Sequence, residues 1–239
     1  MADIGFDRGR ALFQRHLDDA VRPREFTLLG RTWELLDGVF APVYTPVTGL
    51  FSSWIPYPEG GTFLEIGSGC GVTAVVAAKS GCRDVTALDI SAAAVENTSR
   101  NAERHGVTQQ VRVLHSDLFD ALGDAERFDM IFWNSNFAEP PPDFVNETDL
   151  HHAFFDPRYE THRRYLREAP RYLNDGGKLL LGFSSIGNWL RLRALCEEAG
   201  LEIEVLRTES RQLEITLEFQ LLSLQPANGR SWLELVTPE

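Results

Sequence analysis

The sequence predicts an α/β fold on a mostly parallel sheet, with helices on both faces. Three observations carry this. Short apolar strands alternate with helical stretches from Thr62 onward. Gly and Pro punctuate the alternation. A glycine-rich loop, "GSGCG", follows the first of those strands and opens the first of those helices.

Residues 1–58 read as an N-terminal helical and hairpin extension on the substrate side of a domain spanning 59–239. Ala11, Leu12, Leu17 and Val21 recur at helical spacing. Glu25 to Val39 suggests a hairpin turning at Gly30-Arg31, and "TPVTGLFSSWI" a helix begun by Pro46. Pro56, Pro58, Gly60 and Gly61 then break the chain. "TFLEIG" is a strand and "VTAVVAAKSG" a helix closed by Gly81. "DVTALDI" follows, then a helix from N-cap Ser91 to Gly106. "VRVLHSD" and "RFDMIFWN" are strands, and "PRYETHRRYLREAPRYLNDGG" is mostly helix, ended near Pro170. "KLLLGFS" is a strand and "NWLRLRALCEEAG" a helix. "LEIEVLRT" and "LEITLEFQLLSL" are joined only by "ESRQ", too short for a parallel crossover, so they form an antiparallel hairpin.

The 239 residues are 43% hydrophobic, enough for one full core. No apolar run approaches the roughly 20 residues of a membrane helix, and the charged N-terminus lacks the apolar core of a signal peptide. A net charge of -12 argues against a nucleic-acid partner, since phosphate binding draws on basic surface. The cluster Arg158, Arg163, Arg164, Arg167 and Arg171 reads as a solvated helix face. Three scattered cysteines without a CxxC fit a reducing, cytoplasmic compartment and no zinc site.

"LEIGSGCG" places Gly67, Gly69 and Gly71 between strand and helix, with Glu65 just ahead. The pattern is GxGxG rather than the dinucleotide GxGxxG, and Glu65 would repel a diphosphate and attract an amino group. Asp89 ends the next strand, 20 residues beyond Gly69, where an acid meets ribose hydroxyls. Ser116-Asp117-Leu118 follows the third strand beside the same crevice.

Residues 62–224 resemble a class I S-adenosylmethionine-dependent methyltransferase, whose seven-stranded sheet ends in an antiparallel strand. The resemblance implies S-adenosyl-L-methionine as cofactor, with Glu65 and Gly67, Ser68, Gly69 and Gly71 around its methionine part. Asp89 would accept from both ribose hydroxyls. Asp117 would meet the adenine amino group, with Ile90 and Leu118 flanking the ring. After the fourth strand, "NSNF" (Asn134 to Phe137) stands where release-factor glutamine and adenine-N6 methyltransferases carry N-P-P-Y/F/W. In that pattern the Asn134 side chain and the Ser135 carbonyl would accept both N–H bonds of a planar nitrogen, and Phe137 would stack on it; the resemblance also counts Asn134 among the cofactor contacts. Catalysis is then mostly positioning. Ser135 and Asn136 replace the two prolines, which removes rigidity. "GVFAPVYTPVT" resembles the cofactor-approaching turn of the same enzymes, with Thr48 as the contact and Pro42 shaping it.

The stretch 138–157 shows little regular pattern, as in a lid or a disordered loop. His151, His152, Phe154, Phe155 and Tyr159 are candidates for a substrate pocket or for packing. The histidine and acid spacing fits no standard metal site. Transfer to a nitrogen of a small molecule or a protein leads. O-methylation of a small metabolite and a non-catalytic cofactor-binding subunit stay open.

Overall fold

The computed structural model describes residues 4–18, 22–213 and 215–236, so Val21 of the helical pattern lies outside them. Helix α1 (Ile4–Leu17) leads to the hairpin β1 (Glu25–Leu28) and β2 (Arg31–Glu34). The turn residues are Leu29 and Gly30, at φ 51° and 69°, one position ahead of the expected pair. Two left-handed residues suit a hairpin loop of this length, because their twist matches that of the strands. Helix α2 (Val47–Trp54) starts with Pro46 as its N-cap at φ -78°.

From there β3 (Thr62–Ile66), α3 (Val72–Lys79), β4 (Asp84–Asp89), α4 (Ala92–Arg104), β5 (Val111–His115) and β6 (Phe128–Asn134) follow the sequence reading closely. Ser91 caps α4, its hydroxyl accepting from Ala94 N. The predicted long helix is shorter: α5 covers Glu160–Glu168, and a 3-10 turn at Ala169–Tyr172 absorbs Pro170. Strand β7 (Leu173–Ser184) begins ahead of Lys178. Its register on β6 jumps from Phe128↔Leu173 to Met130↔Lys178, so Asn174 to Gly177 form a bulge. Helix α6 (Trp189–Glu198), the hairpin β8 (Leu201–Gln212) and β9 (Thr216–Pro226), and α7 (Trp232–Val236) complete the chain.

The seven-stranded sheet has the order β5-β4-β3-β6-β7-β9-β8. Strands β3 to β7 run parallel, and β9 lies antiparallel between β7 and β8. The strand order reverses between β3 and β6: β4 and β5 are added on one side of β3, and β6 and the later strands on the other. The C-terminal ends of these two strands flank the crevice where open α/β sheets bind ligands.

The alternation of side chains along each strand builds two cores. Phe63, Phe132 and Leu180 face one side, with Trp33, Leu35 and Phe51 of the N-terminal segment packed among them. Leu64, Ile131 and Leu181 face the other, with Tyr165 and Leu192. The hairpin is also bonded to α4: Glu34 N donates to Asn101 Oδ1 and Leu36 N to Asn97 Oδ1, both at 2.9 Å. A third cluster of Phe13, Ala138, Leu150, Phe154 and Phe155 joins α1 to the segment after β6. That segment is packed rather than loose, with a 3-10 turn at Asp149–Ala153 and a bridge between Ala138 and Phe155. In the arginine cluster, Arg163 pairs with Glu198, and Arg164 with Asp117, Asp120 and Glu168. Among the described residues, no helix is long and apolar enough to cross a membrane.

Candidate active site

A cavity of about 830 Å³ opens at the C-terminal edge of β3, β4, β5 and β6. That is ample for a drug-sized ligand, since such pockets run to roughly 300–1,000 Å³. The glycine loop lines it. Gly67, Gly69 and Gly71 have φ of 66°, 57° and 82°, which other residues adopt only with strain. At Gly71 a Cβ would also meet Thr98 Cα at 2.9 Å. Thr98, on α4, donates to Gly69 O and bonds Ser68 Oγ, each at 3.0 Å. The next turn of α4 supports the loop through Asn101 Nδ2, 2.8 Å from Cys70 O. Cys70 itself is buried, and burial pushes its thiol up to about 12, so it is an inert packing residue.

Asp89 sits opposite the loop. Its carboxylate accepts from Gly69 N at 2.8 Å and Ser91 N at 2.9 Å, which orients it at the cavity wall. Burial raises its carboxyl, and the two amides work against that rise. Glu65 lies at the cavity wall and is almost wholly buried. The Thr73 side chain and the Ala74 amide hydrogen-bond it, yet Oε2 has no partner. Desolvation pushes this carboxyl up to about 8. A buried carboxylate with an orphaned oxygen suits an arriving ammonium group. The donor set at this loop therefore fits the amino-acid end of S-adenosylmethionine.

Ile90 and Leu118 both line the cavity. Leu118 has φ 47°, and its carbonyl accepts from Ser116 Oγ at 2.8 Å. Asp117 also lines the cavity, but Arg164 holds its carboxylate at 2.8 Å. Thr48 and Pro42 lie on the wall as well, beside Thr45, whose buried hydroxyl lacks a partner.

The segment after β6 forms the remaining side. The Asn134 residue lines the cavity, and no hydrogen bond holds its carboxamide among the described residues. Ser135 is turned toward the sheet: its hydroxyl donates to Gly182 O at 2.9 Å. Asn136 Nδ2 donates to the carbonyls of His152 and Phe155, both at 2.9 Å. The Phe137 ring packs edge-on against Phe183, with centroids 6.1 Å apart. His152 and Phe154 reach the cavity, whereas His151 stacks on Phe13 at 4.2 Å and Phe155 and Tyr159 are buried in packing.

The sequence reading took residues 1–58 as a cap on the substrate side but named none of the α1 residues at the cavity. Gly5, Arg8, Leu12 and Arg15 of α1 line the cavity from above, as does Leu217 of β9. Arg8, Leu12 and Arg15 recur on one helical face, which is the signal that was present. It also missed Thr98 and Asn101, although buried polar residues on the inner face of α4 mark a supported loop.

The chain is similar to several known proteins. The chain is 33% identical over 138 residues to a release factor glutamine methyltransferase of Rhodopirellula baltica, covering 52% of this chain and 44% of the relative. It is 32% identical over 189 residues to a ribosomal protein uL3 glutamine methyltransferase of Bradyrhizobium diazoefficiens, covering 76% and 56%. The chain thus spans about half the length of these curated relatives. A T. thermophilus 16S rRNA N2 G1207 methyltransferase solved with AdoMet and guanosine shares the fold at TM-score 0.60 and 21% identity, covering 85% of this chain and 50% of that one. The family model "Methyltransferase small domain" matches residues 35–190. Family, fold and glycine loop coincide, and the chain belongs to the methyltransferase small domain family of class I S-adenosylmethionine-dependent methyltransferases.

Proposed function

We propose that this chain transfers a methyl group from S-adenosylmethionine to a planar nitrogen, an amide or amine of a small molecule or protein. The observation that carries this is the Asn134 carboxamide, at a strand end on the cavity wall and without a protein partner. The bound sulfonium supplies an activated methyl. An amide nitrogen is a poor nucleophile, so the protein's task is to hold it in line. The Asn134 side-chain carbonyl and the Ser135 backbone carbonyl accept its N–H groups, and Phe137 covers its plane. The names of the two curated relatives, both glutamine methyltransferases, support an amide acceptor.

In this reading Glu65, Gly67, Ser68, Gly69 and Gly71 receive the methionine part, and Asp89 the ribose hydroxyls. Ile90 and Leu118 flank the adenine. Arg164 shares the Asp117 carboxylate, so that residue contributes less to the adenine edge than the motif suggests. Thr48 lies nearby. The extension 1–58 acts as a cap on the acceptor side, supported by Gly5, Arg8 and Leu12 on the cavity roof. The buried free thiols of Cys70, Cys82 and Cys196 fit a reducing, cytoplasmic setting.

A hydroxyl acceptor is the second reading, favoured by His152, which lines the cavity with its Nδ1 3.2 Å from Asn146 Nδ2. Labelled S-adenosylmethionine and a panel of glutamine peptides, amines and alcohols separate the two. Nitrogen methylation is expected, with Asn134→Ala lowering it by about 10²–10³, the scale for removing one transition-state hydrogen-bond partner. Affinity for S-adenosylhomocysteine should fall far less than the rate of transfer. Methylation of alcohols that is indifferent to Asn134→Ala would overturn the nitrogen assignment. Binding without any transfer would mark a non-catalytic subunit.

A further inference from the structure

Serine and asparagine replace the two prolines of the N-P-P-Y/F/W pattern, yet Ser135, Asn136 and Phe137 are each tied to neighbouring segments. Ser135 donates from N and Oγ to Gly182 O, at 3.3 and 2.9 Å. Asn136 Nδ2 bridges two carbonyls of the packed segment. Ala138 O accepts from Asp156 N at 3.1 Å. The Phe137 carbonyl accepts from the Tyr159 hydroxyl, which itself accepts from Asn188 N at 2.7 Å.

Tyr159 is placed with unusual care. It is fully buried, and both it and Arg158 sit at positive φ, 54° and 59°. Non-glycine residues adopt this conformation only where their surroundings insist on it. Its ring stacks on His162, centroids 4.4 Å apart and planes 17° from parallel. The His162 ring is in turn fixed by Asp156, with Nδ1 2.6 Å from Oδ2, and packs against Trp133 at 4.6 Å. The Asp156 carboxylate also accepts from Thr161 N and His162 N, both at 2.9 Å, which anchors it to the start of α5. Neither Tyr159 nor His162 lines the cavity, so neither touches the acceptor.

We propose that Tyr159, braced by the His162–Asp156 pair, is the positioning residue that fixes Asn134–Phe137 for methyl transfer, replacing proline stiffness with hydrogen bonds. This rests on the function proposed above. The chain's own ties restrict the Phe137 carbonyl and the segment before it, and misplacement by about 1 Å is enough to cost a large factor in rate.

Tyr159→Phe removes one oxygen and keeps the ring. Amide hydrogen exchange on the full chain, with and without saturating S-adenosylhomocysteine, reads the segment directly. Exchange across residues 134–139 should rise at least tenfold, while exchange in β3 and β7 and the ligand's affinity stay within twofold. With an acceptor used by the wild type, kcat should fall at least tenfold at unchanged KM for S-adenosylmethionine. Asp156→Asn loosens the brace from behind and should raise exchange in the same segment. It serves where Tyr159→Phe destabilises the whole chain. Unchanged exchange in both variants overturns the proposal, as does an increase spread evenly over the sheet. Failure of the wild type to bind S-adenosylhomocysteine would instead bring down the cofactor reading and with it the role in transfer, while the ligand-free exchange contrast would still decide whether Tyr159 fixes the segment.

Discussion

Glu65 carries a desolvation cost whenever it is ionised. Burial holds its carboxyl at about 8 against an ordinary 4.5. The folded state therefore keeps a proton that the unfolded chain has already released, and stability falls as pH rises from about 4.5 to about 8. Asp89 shifts in the same direction, so the comparison must be made with a variant. Glu65→Gln cannot ionise. Its Tm relative to wild type should therefore be higher at about pH 8 than at about pH 5, measured on ligand-free protein by scanning calorimetry. Saturation with S-adenosylhomocysteine should narrow that difference, because an ammonium beside Glu65 favours the charged form. The variant should also bind the ligand at least tenfold more weakly.

At the scale of elements, the roof depends on α1 and a small aromatic cluster. Phe13 is buried among Phe154, Phe155 and the stacked His151. Gly9 permits the close approach, since a Cβ there would meet Phe155 Cε1 at 2.7 Å. Removing a buried phenylalanine costs about 3–5 kcal/mol, here charged to one helix and its partner segment. Phe13→Ala should accelerate limited proteolysis within α1, while the main melting transition moves little. If the whole transition shifts instead, α1 is part of the cooperative core rather than a separable roof. The tie between α4 and the hairpin has the opposite character: Asn97 and Asn101 bond the backbone of β2 and its exit, joining distant sequence into one unit.

For the whole molecule, the N-terminal segment contributes structure as well as roof. The Phe51 ring lies so close to β7 that a Cβ at Gly182 would fall 2.7 Å from it. Trp33, Leu35 and Phe51 are essentially inaccessible and share one core with Phe132 and Leu180. Each large apolar side chain lost from such a core gives up about 1.5–3 kcal/mol, against a total of about 5–15 kcal/mol for a domain. A fragment beginning at residue 59 should therefore lack the near-ultraviolet circular dichroism and cooperative melting of the full chain. Retention of both would show that the remaining sheet and helices suffice alone.

Strands β3 to β6 and the glycine loop were legible because their causes are local. Short, nearly continuous apolar runs alternating with helical stretches read as buried parallel strands, and positive φ at Gly67, Gly69 and Gly71 excludes most other residues. The hairpin turn slipped by one because Leu29 occupies a left-handed position its residue type does not advertise. The early start of β7 was hidden because Asn174-Asp175-Gly176-Gly177 reads as a break, and only pairing with β6 makes it a bulge. By itself, then, the amino-acid order determined the sheet, the glycine loop and the acids at its strand ends. Tertiary structure alone decided which residues of α1 line the cavity, that Arg164 holds Asp117, and that Tyr159 rather than proline steadies the segment after β6. Those depend on side chains meeting across long sequence separations, and the distance between two faces is not written in either one.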